Sequence, residues 1–133
     1  MRVVRQNPDT VARPVANYSQ AVLVETAEAN WIYVSGQVAI DPGGAFVGEG
    51  DMRAQTERVF ENLKAILEAN GATFEDVVKT TTYVTTLDDL AGLREVRGRY
   101  FTSEPPASTA VQVAALFLPE AMIEVDLVAV VAP

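Results

Sequence analysis

The chain contains neither cysteine nor histidine. Those absences remove a thiolate nucleophile, a Ser-His-Asp relay, an imidazole general base and a zinc site of the usual nitrogen or sulfur kind. No apolar run approaches the length of a membrane span, and the opening Met1-Arg2-Val3-Val4-Arg5-Gln6-Asn7-Pro8 lacks the apolar core of a signal peptide. A cytoplasmic protein with no membrane partner is therefore expected. Basic charge is scarce as well: ten Lys and Arg stand against eighteen Asp and Glu, a formal net charge of -8. A phosphate backbone is bound chiefly through Lys and Arg, so this field disfavours nucleic acid. Any chemistry must run on carboxylates, hydroxyls, guanidinium or ammonium groups, backbone dipoles and water.

What is present is enough for one domain. A chain of 133 residues can bury a core of its own without disulfide or metal staples. No repeat, low-complexity tract or Gly/Ser linker divides it, so residues 1–133 are expected to form a single domain.

The segment before Ala21 carries Asn7, Pro8, Pro14 and Asn17 and suits an irregular or edge stretch. Ala21 to Thr26 and Trp31 to Ile40 are rich in Val, Ile, Tyr and Trp, with a turn at Glu28-Ala29-Asn30, and predict a hairpin. Asp41-Pro42-Gly43-Gly44 ends the second strand before a short run at Ala45 to Val47. Over Met52 to Asn70 the residues Val59, Phe60, Leu63, Ile66 and Leu67 recur at three- and four-residue spacing, with charged residues between them. This is an amphipathic helix, stopped by Gly71. Val77 to Val84 reads as a β-branched strand. A second helix begins near Leu87-Asp88-Asp89, where either carboxylate could cap it, and stops at Pro105-Pro106. Strands over Ser108 to Leu116 and Met122 to Val131 complete the chain. The order predicts an α+β fold: a mixed six-stranded sheet with two helices on one face. With 49% apolar residues and only two helices to cover the sheet, a homo-oligomer packing sheet faces together is expected.

Six strings, in order along nearly the whole chain, carry a resemblance. They are Asn17-Tyr18-Ser19-Gln20-Ala21, Val34-Ser35-Gly36-Gln37, Asn62-Leu63-Lys64-Ala65-Ile66-Leu67-Glu68-Ala69, Val78-Lys79-Thr80-Thr81, Pro106-Ala107-Ser108-Thr109 and Ile123-Glu124-Val125-Asp126. Together they resemble the RidA/YjgF family, also called the reactive-intermediate deaminase or L-PSP endoribonuclease family. The resemblance implies a homotrimer whose sheets form a central barrel, with small-molecule pockets in the clefts between subunits. It also implies hydrolysis of enamine and imine intermediates such as 2-aminoacrylate, with no metal and no organic cofactor.

Carried over by position, the resemblance places Tyr18, Ser35, Gly36, Asp88, Ser108, Thr109 and Ala110 in a substrate pocket, with Glu124 as the acid/base. Three positions depart from the deaminase branch. There the Pro-Ala pair is followed by an arginine that clamps the substrate carboxylate; here Ser108 stands in its place, and a hydroxyl cannot copy a bidentate guanidinium. The family's pocket cysteine is Ala110 and its asparagine is Asp88. Small imino acids of the 2-aminoacrylate type are thus expected to be poor substrates.

Each of these residues has a plainer alternative. Glu124 and Asp126 share one face of a strand, either as solvated carboxylates or with Glu124 raised in pKa beside an apolar rim, where it can position or activate water. Asp126 can share that charge burden or pair with an arginine. Tyr18 can pack its ring and Ser35 can satisfy a strand-end amide, or both can bind ligand. Gly36 fits a close approach to a ligand or a bulge. Asp88 suits a helix cap better than a ligand contact. Ser108 and Thr109 are read as hydrogen-bonding groups, because Lys64 and Lys79 have no evident reason to converge on them as bases. Arg94, Arg97 and Arg99 are read as a solvated face, with Arg97 alone placed where it could replace the missing clamp. A non-catalytic metabolite-binding trimer is the alternative function, and ribonuclease activity ranks last.

Overall fold

The chain is described over residues 1–133 by a computed structural model. Six strands form one sheet: β1 (Arg2–Gln6), β2 (Ala21–Glu25), β3 (Asn30–Gln37), β4 (Val77–Val84), β5 (Ala107–Gln112) and β6 (Ile123–Val131). Their order is β1-β2-β3-β6-β4-β5. Only β4 and β5 run parallel, joined by a crossover containing α2 (Leu90–Tyr100); the other neighbours are antiparallel. The fold is α+β, with a six-stranded mixed sheet and two helices.

Helix α1 (Met52–Ala69) forms where the apolar spacing predicts it. The Asp51 side chain caps it by accepting from the Ala54 amide at 3.0 Å. Gly71, at φ 70°, turns the chain left-handed after the last residue, and its amide donates to the Glu68 carbonyl at 3.0 Å. Val59, Phe60, Leu63, Ile66 and Leu67 enter the core with Ile32, Val34, Val125 and Leu127 from the inner sheet face. Phe60 is the hub between the helices, 5.0 Å from the Tyr100 ring and 5.9 Å from that of Phe74.

The strand count matches the sequence reading, but the membership does not. Arg2–Gln6 pairs with β2 as an edge strand, whereas Ala45 to Val47 makes only an isolated Ile40–Phe46 bridge. A strand at the margin needs one neighbour and little apolar content, so β1 gives a weak sequence signal. β5 stops at Gln112 rather than Leu116, because its partner β4 ends at Val84, whose carbonyl accepts the last bond from the Val113 amide.

Two buried amides of α1 fix the loops that build the site. Gln55 donates to the carbonyls of Gly48 and Glu120 and accepts from the Met122 amide. Asn62 donates to the carbonyls of Val38 and Ile40 just beyond β3. The N-terminal loop is held similarly: Gln37 donates to the Gln20 side chain at 2.7 Å, and Gln20 donates to the Ala12 carbonyl. Leaving any of these polar atoms unpaired would cost about 1–3 kcal/mol, which makes the loop positions specific.

The sheet face away from the helices is open in the single chain. Trp31 and Tyr33 on β3 alternate with buried Ile32 and Val34 and remain 40% and 47% exposed, beside Val128 and Val130 of β6. All six residues of β5 are exposed.

Candidate active site

Strand pairing explains how Glu124 comes to its position. It is the second residue of β6 and lies opposite Tyr83 of β4, while Asp126 lies opposite Thr81. Side chains of strand residues two apart share a face, so Glu124 and Asp126 both point to the side away from the helices. On the other flank of β6 the register to β3 shifts between Val34 and Gln37, placing Ser35 and Gly36 against Asp126 alone. This is a β-bulge, and it brings Gly36 to the Glu124 carboxylate. A Cβ at Gly36 would stand 2.9 Å from Cδ and 3.0 Å from Cγ of Glu124, with Oε1 inside the volume it would fill. The missing side chain of Gly36 thus makes room for the glutamate.

Burial raises the Glu124 pKa above the ordinary carboxylate value, and the nearby Asp126 charge adds to the effect. Asp126 is also the main influence on Tyr83, whose phenol is raised. Glu124 is thereby moved toward a range in which it can both hold and release a proton.

Tyr18, Ser35, Gly36 and Glu124 line one cavity of about 380 Å³, together with Val15 and Phe117. The Ser35 hydroxyl donates to the Ser19 carbonyl at 2.6 Å, and the Ser35 amide donates to the Gln20 carbonyl. Ser35 therefore pins the Tyr18 segment to the bulge, leaving its hydroxyl oxygen as an acceptor. Tyr18 is 42% exposed with its ring on the cavity wall. Phe117, 85% exposed, and Leu118 were not among the expected site residues. Their sequence signal was the apolar run before Pro119, which reads as the end of a strand and is a loop.

Ser108 and Ala110 lie in a second cavity, also about 380 Å³, between α2 and β5. Arg94, Arg97, Thr82 and Gln112 share its walls. Within one chain the predicted site is therefore divided between two cavities. Asp88 and Thr109 line neither. The helix cap is Asp89, which accepts from the Gly92 amide at 3.0 Å from a left-handed backbone with φ 56°. Asp88 is exposed, and its amide donates to the Thr86 hydroxyl. Thr109 alternates with Ser108 and Ala110 and meets Lys79, whose Nζ donates to its hydroxyl at 2.8 Å. The expectation that Lys79 has no reason to converge here is overturned by the parallel pairing, which sets Thr81 against Thr109. No group of three or more Asp and Glu side chains is arranged to hold a metal ion, and no helix is long and apolar enough to cross a membrane.

The expectation of one solvated arginine face holds for only part of α2. Arg99 bridges Glu57 and Glu95, each at 3.1 Å, and Arg53 of α1 reaches Glu95 at 2.6 Å. Arg94 is exposed. Arg97 is partly buried, has no salt-bridge partner, and lies over the Phe101 ring with Cζ 4.6 Å from its centroid.

Comparison with known proteins identifies the family and the fold. Residues 10–131 match the family model described as Endoribonuclease L-PSP. The chain belongs to the L-PSP/RidA family. Protein DfrA of Myxococcus xanthus is 45% identical over 123 residues, covering 92% of this chain and 91% of that protein. The 2-iminobutanoate/2-iminopropanoate deaminase of Homo sapiens is 36% identical, over 98% of this chain and 93% of its own. Among solved structures, RidA from an Antarctic Psychrobacter species superposes with a TM-score of 0.82 at 37% identity, covering 94% of this chain and 97% of that one. The L-PSP/RidA fold thus extends over nearly the full length of the chain.

Proposed function

We propose that the protein is a small-molecule hydrolase acting on a reactive enamine or imine in a cleft between copies of the chain. An enamine first tautomerises to the imine by moving a proton from nitrogen to carbon; water then adds to the C=N carbon, the C–N bond breaks, and a carbonyl compound and ammonia leave. Glu124 carries the proton, first taking it from the attacking water and then returning it to the departing nitrogen. The observation that supports this most is the burial of the Glu124 carboxylate against Gly36, with Asp126 nearby, which favours a readily exchanged proton. The imine chemistry is carried over from the human relative, a 2-iminobutanoate/2-iminopropanoate deaminase.

The assembly belongs to the same proposal. Tyr18 and Glu124 line one cavity and Ser108 and Ala110 the other, so a complete pocket needs the first wall from one chain and the second from its neighbour. A homotrimer with its open sheet faces turned inward would cover Trp31, Tyr33, Val128 and Val130 and bring the walls together. Ser108 supplies no guanidinium, and 2-aminoacrylate-type imino acids are poor substrates on this reading.

The experiment is ammonia release from imines generated in solution, comparing wild type with Glu124→Gln while ligand binding is followed separately. Loss of turnover with binding retained supports hydrolysis. Binding without turnover in both proteins replaces the enzyme with a metabolite-binding trimer. Rapid hydrolysis of 2-iminopropanoate would overturn the assignment of Ser108 as a lost clamp.

A further inference from the structure

Arg97 is a partly buried arginine with no acidic partner. Its Nη2 is buried without a hydrogen-bond partner, although the chain carries eighteen acidic residues and the neighbouring Arg99 is held by two of them. Buried charges are ordinarily paired, because desolvation penalises an isolated ion heavily. Phe101 offers only part of the compensation. Its π face attracts the cation, but guanidinium N–H donors lie in the guanidinium plane and need acceptors there. Burial correspondingly lowers the Arg97 pKa.

The surroundings indicate what is missing. Arg97 lines the α2–β5 cavity with Thr82, Ser108 and Gln112 as polar neighbours and with Leu93 and Val84 as apolar ones. No Asp or Glu lines that space. At about 380 Å³ it can take a small organic acid, and a carboxylate is the anion whose two oxygens match the guanidinium fork.

We propose that Arg97 is the oxyanion-binding residue of this cavity and that the natural ligand carries a carboxylate which it holds there. The inference deepens the hydrolase reading, on which it rests only in taking the cavity as one wall of the reacting cleft. Charge comes from the helix wall and not from β5, where Ser108 stands. The carboxylate therefore sits toward α2, away from the β5 position at which an arginine would hold that of a 2-imino acid.

The test measures binding and needs no turnover. Titration calorimetry compares butyrate with its neutral near-isostere butyramide on the full-length protein. Butyrate is expected to bind at least about tenfold tighter. Arg97→Gln should abolish that preference, and Arg97→Lys should retain part of it. In the wild-type protein the Arg97 Nε–H resonance should move on addition of butyrate but not of butyramide, a readout independent of how the variants fold. Equal binding of the two probes, no binding of either, a stationary Nε–H resonance, or a preference that survives Arg97→Gln would each overturn the proposal. Glu124→Gln is expected to keep the butyrate preference, so failure of the hydrolase reading and failure of the anion site give different results.

Discussion

Gly36→Ala adds one methyl group at the point where β3 bulges toward Glu124, and its effects on stability and on chemistry should separate. The new Cβ would lie 2.9 Å from Cδ of Glu124, whereas carbons in optimal contact stand about 3.5–4.0 Å apart. The carboxylate must therefore retreat by more than half an ångström, and by more at Oε1. Overpacking costs about 1–3 kcal/mol in a closed core, and the lower end applies here because Glu124 is a flexible, incompletely buried side chain. Gly36 is not left-handed, so alanine also stiffens the unfolded chain, a gain of about 0.4–1 kcal/mol. The two nearly cancel, and urea unfolding should place the variant within about 1 kcal/mol of wild type. Chemistry has no such compensation. Displacing a reacting group by about 1 Å costs on the order of a hundredfold in rate, so ammonia release should fall by that factor. A folded Gly36→Ala protein that keeps turnover within about threefold of wild type would refute the role assigned to the Gly36–Glu124 contact.

Three further outcomes follow from the same contacts. Because the folded state raises the Glu124 pKa, it binds that proton more tightly than the unfolded chain does; wild-type stability should fall as pH rises from the ordinary carboxyl value of 4.5 through the raised one. Glu124→Gln should remove that decline, as measured by denaturation at a series of pH values, and an unchanged slope would contradict the burial described. Phe60→Ala empties the aromatic hub between α1 and α2 and should cost about 3–5 kcal/mol in chemical denaturation. Tyr33→Asp puts a charge on the open sheet face without touching the inner core; the proposed assembly through that face predicts slower sedimentation than wild type with native circular dichroism, and equal sedimentation would refute it.

Much of the framework is legible in the sequence because it is locally encoded. The 3.6-residue spacing from Val59 to Leu67 is enough for α1, and β4 forms over Val77–Val84 as its β-branched run predicts. β1 is obscured because Arg2, Arg5 and Gln6 give an edge strand the composition of a loop. Of the two expected carboxylates, Asp89 alone is the cap, because its side chain reaches the Gly92 amide three residues on. At the site, strand alternation is sufficient to put Glu124 and Asp126 on one face. The reason for Gly36 is a contact with a strand distant in sequence, and a single chain pattern does not contain it. The partial burial of Arg97 is hidden for a related reason: the Phe101 ring lies under its guanidinium, whereas the helical repeat alone leaves it beside exposed Arg94 and paired Arg99.

β5 has a dynamic consequence. It hydrogen-bonds to β4 alone, and none of its six residues is buried, so in an isolated chain little holds it beyond one parallel ladder. Local opening free energy is lowest where apolar burial is least, and β5 amides should exchange with solvent ahead of those in β3 and β6. The segment bearing Ser108 and Ala110 is then ordered largely by whatever covers it. Part of the free energy of covering β5 goes into ordering that segment, so its amide protection should rise with protein concentration or with occupancy of the adjoining cavity.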